Sequence, residues 1–446
     1  MKYANFCDTG RNNINIGDYL QFRATDYLFR LMNIAEDEIV YLGFKELSNY
    51  DGEEVIFPIC YSIIDFVNNG KIAISGKIKP IFFAVTLSTV DGFIDLNVFL
   101  GDQYNYTYLL SHSPIGCRDE KTYNILMKHG IPAYINGCMT AIFPSYAGPP
   151  GEKVLFVDAP KSLLPFIPDD LLDCCECLTQ QFNFQESEIK DYQKIFRFID
   201  ARYEYYKKTA KLAVTSRLHI ALPLTAFGIP VVLAKDKVDG RFSFIEAYIS
   251  IFDKDDYRKI NWKPEVPDIK KIKELLVKHA LGRIKGDIEK KELERMENEL
   301  TTIFKTRKAI PKYYDSHLIT HKNGYRFDEY ALKHWNFIDP IKYALWGASE
   351  NNSKYWKNYI ESNYPNARLS TVVDSFRLGT LFGHTYQLPE IIKEIPDVCI
   401  IVCSVGAARE ALKLFKSLNM NESRYCITSD CFILQDDIIE RKQRMK

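Results

Sequence analysis

The chain has 446 residues, more than one hydrophobic core normally serves, so two or three domains are expected. Its 58 Lys and Arg side chains balance its 58 Asp and Glu side chains, which excludes the overall positive field by which many proteins attract nucleic acid. With 46% hydrophobic and 26% charged residues, the composition is that of an ordinary globular protein.

The cysteines and the chain start bear on cellular location. Eleven cysteines are spread irregularly, without the paired spacing of zinc sites, so we interpret them as reduced thiols and predict no metal. The first residues lack the apolar core of a signal peptide. No apolar run approaches the ~18 residues that a membrane span needs. We therefore expect a soluble, cytoplasmic protein.

The first part of the chain predicts alternating strands and helices. Residues 3–6 form a short apolar run typical of a strand. The polar loop that follows ends at Gly17 and Asp18, before a helix with one apolar face. A loop rich in Gly and Pro, 145–151, predicts a domain boundary. We therefore predict a Rossmann-like domain over residues 1–148.

The middle of the chain predicts a second α/β domain. A strand at 211–214, a helix at 217–227 and a strand at 231–234 form the pattern of a compact βαβ unit. Residues 268–308 predict helices whose many charges face solvent. We place this second Rossmann-like domain at 149–335.

The last part of the chain, 336–446, predicts a third, smaller Rossmann-like domain. One predicted strand ends before Gly347 and the next ends at Asp374, where a ribose-binding carboxylate would lie. Only one of the three glycines of a dinucleotide-binding loop is present. We therefore favour a structural, docking or oligomerisation role over a dinucleotide site, and the oligomeric state stays open.

The segment with the clearest chemistry is Thr215-Ser216-Arg217-Leu218-His219, between a buried strand and a helix. Open α/β sheets bind ligands at this end of their strands, and helix amides favour an anion. We expect Thr215 or Ser216 to cap the helix, Arg217 to suit phosphate or carboxylate, and His219 to titrate near neutral pH. A structural alternative stays open, in which Arg217 pairs with an acidic residue and His219 is a satisfied, half-buried histidine.

Residues 197–219 resemble the core signature of the polysaccharide pyruvyl transferase family. Further similarity to this family lies in residues 15–18, 115–119, 223, 228–232 and 239–242. The resemblance spans roughly residues 1–270. The sequence departs from the family at Asn136-Gly-Cys-Met-Thr140, where similar proteins often carry an Asp-Pro-like element.

The resemblance implies two facing Rossmann-like domains, the GT-B arrangement, with the site in the cleft between them. The implied donor is phosphoenolpyruvate, and the acceptor is a hydroxyl pair on a glycan or a lipid-linked sugar. The products are a pyruvate ketal and phosphate, and no cofactor is implied beyond this co-substrate. A lipid-linked acceptor would bring the protein into peripheral contact with the inner face of the membrane.

Specific residues receive roles in this hypothesis. We predict Arg217 to hold the phosphate and His219 to contact the carboxylate or move a proton. Asp18 and Asp119 are candidate bases toward the acceptor, although helix capping explains Asp119 better. The predicted catalytic residues are therefore His219, Arg217 and Asp18. The predicted substrate-binding residues are Arg241, Arg118, Ser216, Thr215, Gly17 and Asn15.

Two other functions stay open at this point. A nucleotide-sugar glycosyltransferase on the same architecture would use the arginines but release a nucleotide. A non-catalytic sugar- or nucleotide-binding scaffold belongs to another class altogether. Stabilisation by phosphoenolpyruvate or by nucleoside diphosphates would distinguish these functions, because a ligand stabilises the folded state that binds it.

Overall fold

A computed structural model describes residues 2–8, 13–87, 95–183, 191–305, 327, 330–335, 339–347, 350–429 and 432–445. The chain divides into two compact units. Residues 1–316 and 433–446 form the first unit, and residues 317–432 form the second. Both units are mixed α/β structures built mainly on parallel sheets. Among the described residues, no helix is both long and apolar enough to cross a membrane.

The first unit alternates strands with helices. Its strands are β1 (Lys2–Asp8), β2 (Asn13–Asn15), β3 (Ile39–Gly43), β4 (Val55–Ile59), β5 (Val67–Asn68), β6 (Lys71–Ile72), β7 (Ile78–Phe82), β8 (Ile115–Cys117), β9 (Ala133–Ile135), β10 (Lys153–Val157), β11 (Cys175–Leu178), β12 (Gln181–Asn183), β13 (Ala210–Thr215), β14 (Val231–Ala234) and β15 (Ile251–Phe252). Its α-helices are α1 (Ile16–Leu31), α2 (Leu96–Gly101), α3 (Gln103–Ser111), α4 (Glu120–Lys128), α5 (Tyr192–Thr209), α6 (Leu218–Phe227), α7 (Lys270–Lys285) and α8 (Lys290–Lys305).

Two parallel sheets organise this unit. The first has the order β3-β1-β4-β7, and a bridge between Val85 and Cys117 places the parallel pair β8-β9 beside it. The second has the order β11-β10-β13-β14-β15, with every pairing parallel. A short antiparallel pair joins the two halves, since β2 pairs with β12. Helices cover such sheets, which is why β10, β13 and β14 are nearly continuous apolar runs.

One cluster of buried apolar side chains extends from the first sheet to the second. It includes Phe57 and Ile142 from the first half and Ala213 and Leu222 from the second. The structure therefore groups residues 1–316, which cover the predicted domain 1–148 and most of the predicted domain 149–335, into one unit, although each half retains a sheet of its own. The shared core explains this, because a domain boundary is expected where few contacts cross. Residues 317–335 of the predicted second domain belong to the second unit instead.

The second unit has one six-stranded sheet in the order β18-β19-β17-β16-β20-β21. Its strands are β16 (Ile341–Trp346), β17 (Ala367–Val373), β18 (Thr380–Leu381), β19 (His384–Gln387), β20 (Cys399–Val402) and β21 (Tyr425–Ile427). The two longest helices among its described residues are α9 (Glu350–Asn363) and α10 (Val405–Ser417). All pairings are parallel except β18 with β19. The order is that of a small Rossmann-like sheet, as predicted.

The second unit differs from the predicted third domain, 336–446, at both ends. The chain returns to the first unit after residue 432, where the last helix, α11 (Gln435–Met445), packs. The Ile433 amide donates to the Ala159 carbonyl at 2.9 Å, and Arg441 Nη2 donates to the Ile167 carbonyl at 2.7 Å. These hydrogen bonds join residues far apart in the chain, so the local sequence does not predict that α11 packs on the first unit.

Candidate functional site

Helices α1 and α6 meet at their amino ends, one after the first sheet's strand β1 and the other after β13. Gly17, in the first turn of α1, has no space for a side chain. A Cβ there would lie 2.6 Å from His219 Cβ and 3.0 Å from Gln180 Oε1. The Asn15 side chain caps α1 by accepting from the Gly17 amide at 3.1 Å. The predicted residues Asn15 and Gly17 therefore position this helix end beside His219.

His219 is buried, with 8% of its side chain exposed. Its Nδ1 lies 3.8 Å from Asp18 Oδ1, which is too long for a hydrogen bond. Its Nε2 is buried and has no hydrogen-bond partner among the described residues. Burial, with the charges of Arg118 and Arg241, lowers the pKa of His219 to about 3. The imidazole is therefore neutral at physiological pH, so it does not titrate near neutrality as the sequence suggested.

Arg118 follows strand β8 and is buried, with 8% of the residue exposed. Its amide donates to the Val85 carbonyl at 2.8 Å, which extends the pairing of the first sheet. Its Nη1 lies 3.5 Å from Gln21 Oε1, whereas its Nε is buried without a partner in the described part of the chain. A buried guanidinium with an unused donor is costly unless a ligand meets it.

Arg241 lies in a short turn, Gly240–Phe242, that Asp239 caps. Its Nε and Nη2 donate to the two oxygens of Asp239 at 2.8 and 3.0 Å, the two-point geometry of a strong ion pair. Burial opposes ionisation of Asp239, but the charge and hydrogen bonds of Arg241 hold its pKa well below the usual range. A quarter of the Arg241 side chain stays exposed, at 26%.

Asp18 and Asp119 lie on the same side as these cations. Burial alone would lower the pKa of Arg241, but Asp239, and then Asp119 and Asp18, raise it above its ordinary value. Asp119 caps α4, because its Oδ1 accepts from the Thr122 amide at 2.9 Å and its Oδ2 accepts from the Thr86 hydroxyl at 2.7 Å. Capping is thus its observed role. Asp18 is the more accessible carboxylate, with 28% of its side chain exposed.

The side chains of Thr215, Ser216 and Arg217 are anchored on the end of strand β10. The Thr215 and Ser216 hydroxyls donate to the carbonyls of Val157 and Asp158 at 2.6 and 2.7 Å. The prediction that either residue caps α6 is therefore wrong. The residue at the cap position is Arg217, and its side chain makes no capping bond.

Arg217 donates from Nε to Asp158 Oδ2 at 3.0 Å, and 22% of its side chain is exposed. This ion pair is the structural alternative that the sequence left open for Arg217. Asp158 is fully buried and is the first residue after β10, whereas Arg217 is the second residue after β13. The sequence analysis missed Asp158, although the same strand-end position would have identified it.

The sequence did not identify Gln180 and Tyr203 as residues of the site either. Tyr203 donates to the His219 carbonyl at 2.5 Å, and Gln180 Nε2 donates to the Tyr203 hydroxyl at 2.6 Å. Both side chains are buried and fix the backbone at His219. Gln180 Oε1, near Gly17, has no hydrogen-bond partner among the residues that the structure covers. No local pattern marks such contacts, because they join residues from different elements.

The segment that departs from the family's pattern, 136–140, packs against both halves. Asn136 Oδ1 accepts from the Ala84 amide at 3.0 Å. Gly137 has a positive φ of 65°, and a Cβ there would lie 2.9 Å from the Phe244 ring. Cys138 is near enough to Arg118 for the guanidinium charge to counter part of the rise that burial causes in the thiol pKa. This segment therefore lies beside the cluster.

Asp18, Arg118, His219 and Arg241 form a group that we call the cation cluster, and its composition suits a small anion. Two guanidinium groups supply charge, and His219 Nε2 supplies an unused polar atom. Within the described residues, no group of three or more His, Cys, Asp and Glu side chains could hold a metal ion. No family model matches the chain, and no curated protein or solved structure matches it significantly.

Proposed function

We propose that the chain is a pyruvyl transferase that moves the enolpyruvyl group of phosphoenolpyruvate onto a sugar hydroxyl pair. The observation that carries this proposal is the cation cluster, in which the charges of Arg118 and Arg241 act on a buried, neutral His219. Phosphoenolpyruvate presents a phosphate and a carboxylate on a three-carbon frame. A partly dry site for such a donor needs more than one cation.

In this proposal, Arg118 and Arg241 are the main residues that bind the donor. Arg118 is buried with an unused Nε, which an anionic oxygen would satisfy. Arg241 is oriented by its two bonds to Asp239 while part of its side chain stays exposed. Arg217 remains a predicted phosphate ligand. The hydrogen bond from its Nε to Asp158 orients its side chain.

His219 is proposed to become the proton donor once the anion is bound. Burial is the main cause of its low pKa, and the charges of Arg118 and Arg241 lower that pKa further, so a dianion that neutralises these charges raises the pKa of His219. The proton then passes to the methylene carbon of phosphoenolpyruvate, and the adjacent carbon gains oxocarbenium character. Asp18, 3.8 Å from His219 Nδ1, is placed to stabilise the imidazolium or to accept a proton from the acceptor.

The transfer balances without a cofactor. The first sugar hydroxyl attacks the cationic carbon and gives up its proton. The second hydroxyl displaces the phosphate, and its proton leaves with phosphate. The products are a cyclic pyruvate ketal and inorganic phosphate. For the architecture, we propose the GT-B arrangement, with the acceptor in a cleft between the halves that carry the two parallel sheets.

The test is release of inorganic phosphate from phosphoenolpyruvate in the presence of a panel of glycans. Thermal denaturation with phosphoenolpyruvate, uridine diphosphate and guanosine diphosphate gives a second measurement that needs no acceptor. Stabilisation by phosphoenolpyruvate alone supports the proposal. Stabilisation by a nucleoside diphosphate alone would favour glycosyl transfer and overturn it.

A matched pair of variants makes the test specific. His219→Ala removes the proposed proton donor, whereas His129→Ala removes a histidine at the far end of α4 from Asp119. We expect the first to lose most phosphate release and the second to retain it. Equal activity in both would remove His219 from the mechanism.

A further inference from the structure

A cavity lies at the carboxyl end of α6, away from the helix end that carries His219. Its volume is about 820 Å³. It is open to solvent and is lined by the end of α1, the segment after β9, the end of α6 and the first half of α7. This volume falls within the ~300–1,000 Å³ of small-molecule sites. No residue of the cation cluster lines it.

The wall of this cavity is mainly apolar. Its lining includes Leu31, Phe143, Val266, Val277 and Leu281. Leu31 and Val266 are large apolar side chains with 40% and 41% exposure to solvent. Solvent-exposed apolar side chains on a concave surface favour an aliphatic ligand. Binding of such a ligand removes the apolar surface of both the cavity and the ligand from water.

One cation in this wall lacks an acidic partner. Lys273 Nζ donates to the Ala226 carbonyl at 2.6 Å and lies 3.4 Å from Ser145 Oγ, and no described carboxylate lies within 4.0 Å of it. An ammonium has three donors, so one remains available. Burial lowers the pKa of Lys273, as expected for a cation that no anion compensates.

The other two lysines of the lining differ from Lys273. Lys278 lies 2.9 Å from Glu292, and Lys270 lies 4.0 Å from Glu274. Both are exposed to solvent. Lys273 is therefore the lining lysine that has no described carboxylate within 4.0 Å, and it lies next to the apolar wall. The lining also includes Asp268, which is exposed and accepts from the Lys270 amide at 3.0 Å.

We propose that this cavity binds a single-chain aliphatic anion, with a carboxylate on Lys273 and the chain along the apolar wall. The third Lys273 donor meets the carboxylate, and the exposed faces of Leu31 and Val266 are covered by the chain. Each methylene that enters should tighten binding by about fourfold. The inference is independent of the proposed transfer, because α6, ten residues long, separates the two places by about 15 Å.

The test is calorimetric titration of the full chain with butyrate, octanoate and dodecanoate, and with 1-octanol as the uncharged match for octanoate. We expect affinity to rise with chain length and octanoate to bind at least ten times more tightly than 1-octanol. Equal binding of octanoate and 1-octanol would overturn the role of Lys273. Failure of dodecanoate to bind at all would overturn the site.

Variants separate charge from shape. Lys273→Met should weaken octanoate binding about tenfold or more and leave 1-octanol unchanged, whereas Lys278→Met should change neither. Since Lys273 also bonds the end of α6, Leu31→Trp is the second variant. It fills the cavity from an exposed position and should abolish binding of dodecanoate. Unchanged dodecanoate binding in Leu31→Trp would contradict the proposal.

Discussion

The sequence places polar residues after strands in both units, but the structure gives these residues different surroundings. In the second unit, Asp374 follows β17 and its Oδ1 accepts from the amides of Phe376 and Arg377 at 2.9 and 3.1 Å. In the first unit, His219 and Arg118 each keep a buried atom without a partner among the described residues. Buried polar groups normally find partners, so these two atoms would be satisfied by the anion that we propose.

Gly347 reinforces this difference. A Cβ there would lie 2.2 Å from Ala407 Cβ and 2.7 Å from Ser404 Oγ, and its φ is 74°. Internal packing therefore explains the glycine without a nucleotide. A strand end alone does not mark a binding site. What distinguishes the cation cluster is that Arg118 Nε and His219 Nε2 are buried without a partner among the described residues, whereas Arg241 is already paired with Asp239.

The largest expected effect comes from removing a cation of the cluster. Arg118→Met should lower phosphoenolpyruvate-dependent phosphate release by about 100-fold or more, because one positioned donor to a developing charge is worth that much. Arg295→Met is the control, since Arg295 is exposed on α8 and pairs with Glu292. Steady-state kinetics compare the two. Near-normal turnover in Arg118→Met would place the donor elsewhere.

The next effect concerns the contact between α1 and α6. Gly17→Ala would push a methyl group against His219 and Gln180, so we expect a loss of stability of about 1–3 kcal/mol together with a loss of donor binding. Gly101→Ala is the matched control, because nothing lies within 4 Å of a Cβ there. Chemical denaturation and donor titration measure the two effects. Gly17→Ala with unchanged stability would mean that the helices separate easily.

The low pKa of His219 predicts a pH dependence of stability. The folded protein keeps His219 neutral down to about pH 3, whereas the unfolded chain protonates it below its ordinary pKa of about 6.5. The unfolded chain thus binds more protons in this window, and stability falls as pH is lowered, by up to about 1.4 kcal/mol per unit. Denaturation at pH 7 and pH 5 should show a smaller loss in His219→Asn than in the original chain. Equal losses would contradict the burial of a neutral imidazole.

The smallest effect is expected at the second strand end. Asp374→Asn keeps one oxygen for the two amides, so stability should change by about 1 kcal/mol or less. Phosphate release should not change. A loss of binding to an adenine dinucleotide, measured by calorimetry, would contradict the structural role that we assign to Asp374.

Local patterns predicted the elements of the fold well where apolar runs were clear. Strand β14 was predicted at the observed residues, and β13 was within one residue at each end. The Asp119 cap was confirmed because its evidence lies within four residues. The return of α11 to the first unit was not predicted, because its anchor at Leu164 is 277 residues away from Arg441.

The candidate site was predicted only in part, because local patterns do not reveal contacts between distant segments. The strand-end rule selected Arg217 and His219, and the structure surrounds His219 with the predicted residues Gly17, Asp18 and Arg118. It did not predict that Arg217 would bond Asp158, 59 residues earlier in the chain. Nor could it predict a neutral His219, since burial and charges from distant segments determine its pKa.

The antiparallel pair of β2 and β12 has a mechanical consequence. Asn15 pairs with Gln181, and the Ile16 amide donates to the Gln180 carbonyl at 3.0 Å, so the start of α1 is fastened to the second sheet. Hinge opening of the two sheets would have to stretch these backbone bonds first. The start of α1, with Gly17, is therefore held to the half that carries His219, whereas Arg118 and Arg241 lie on segments outside this pair.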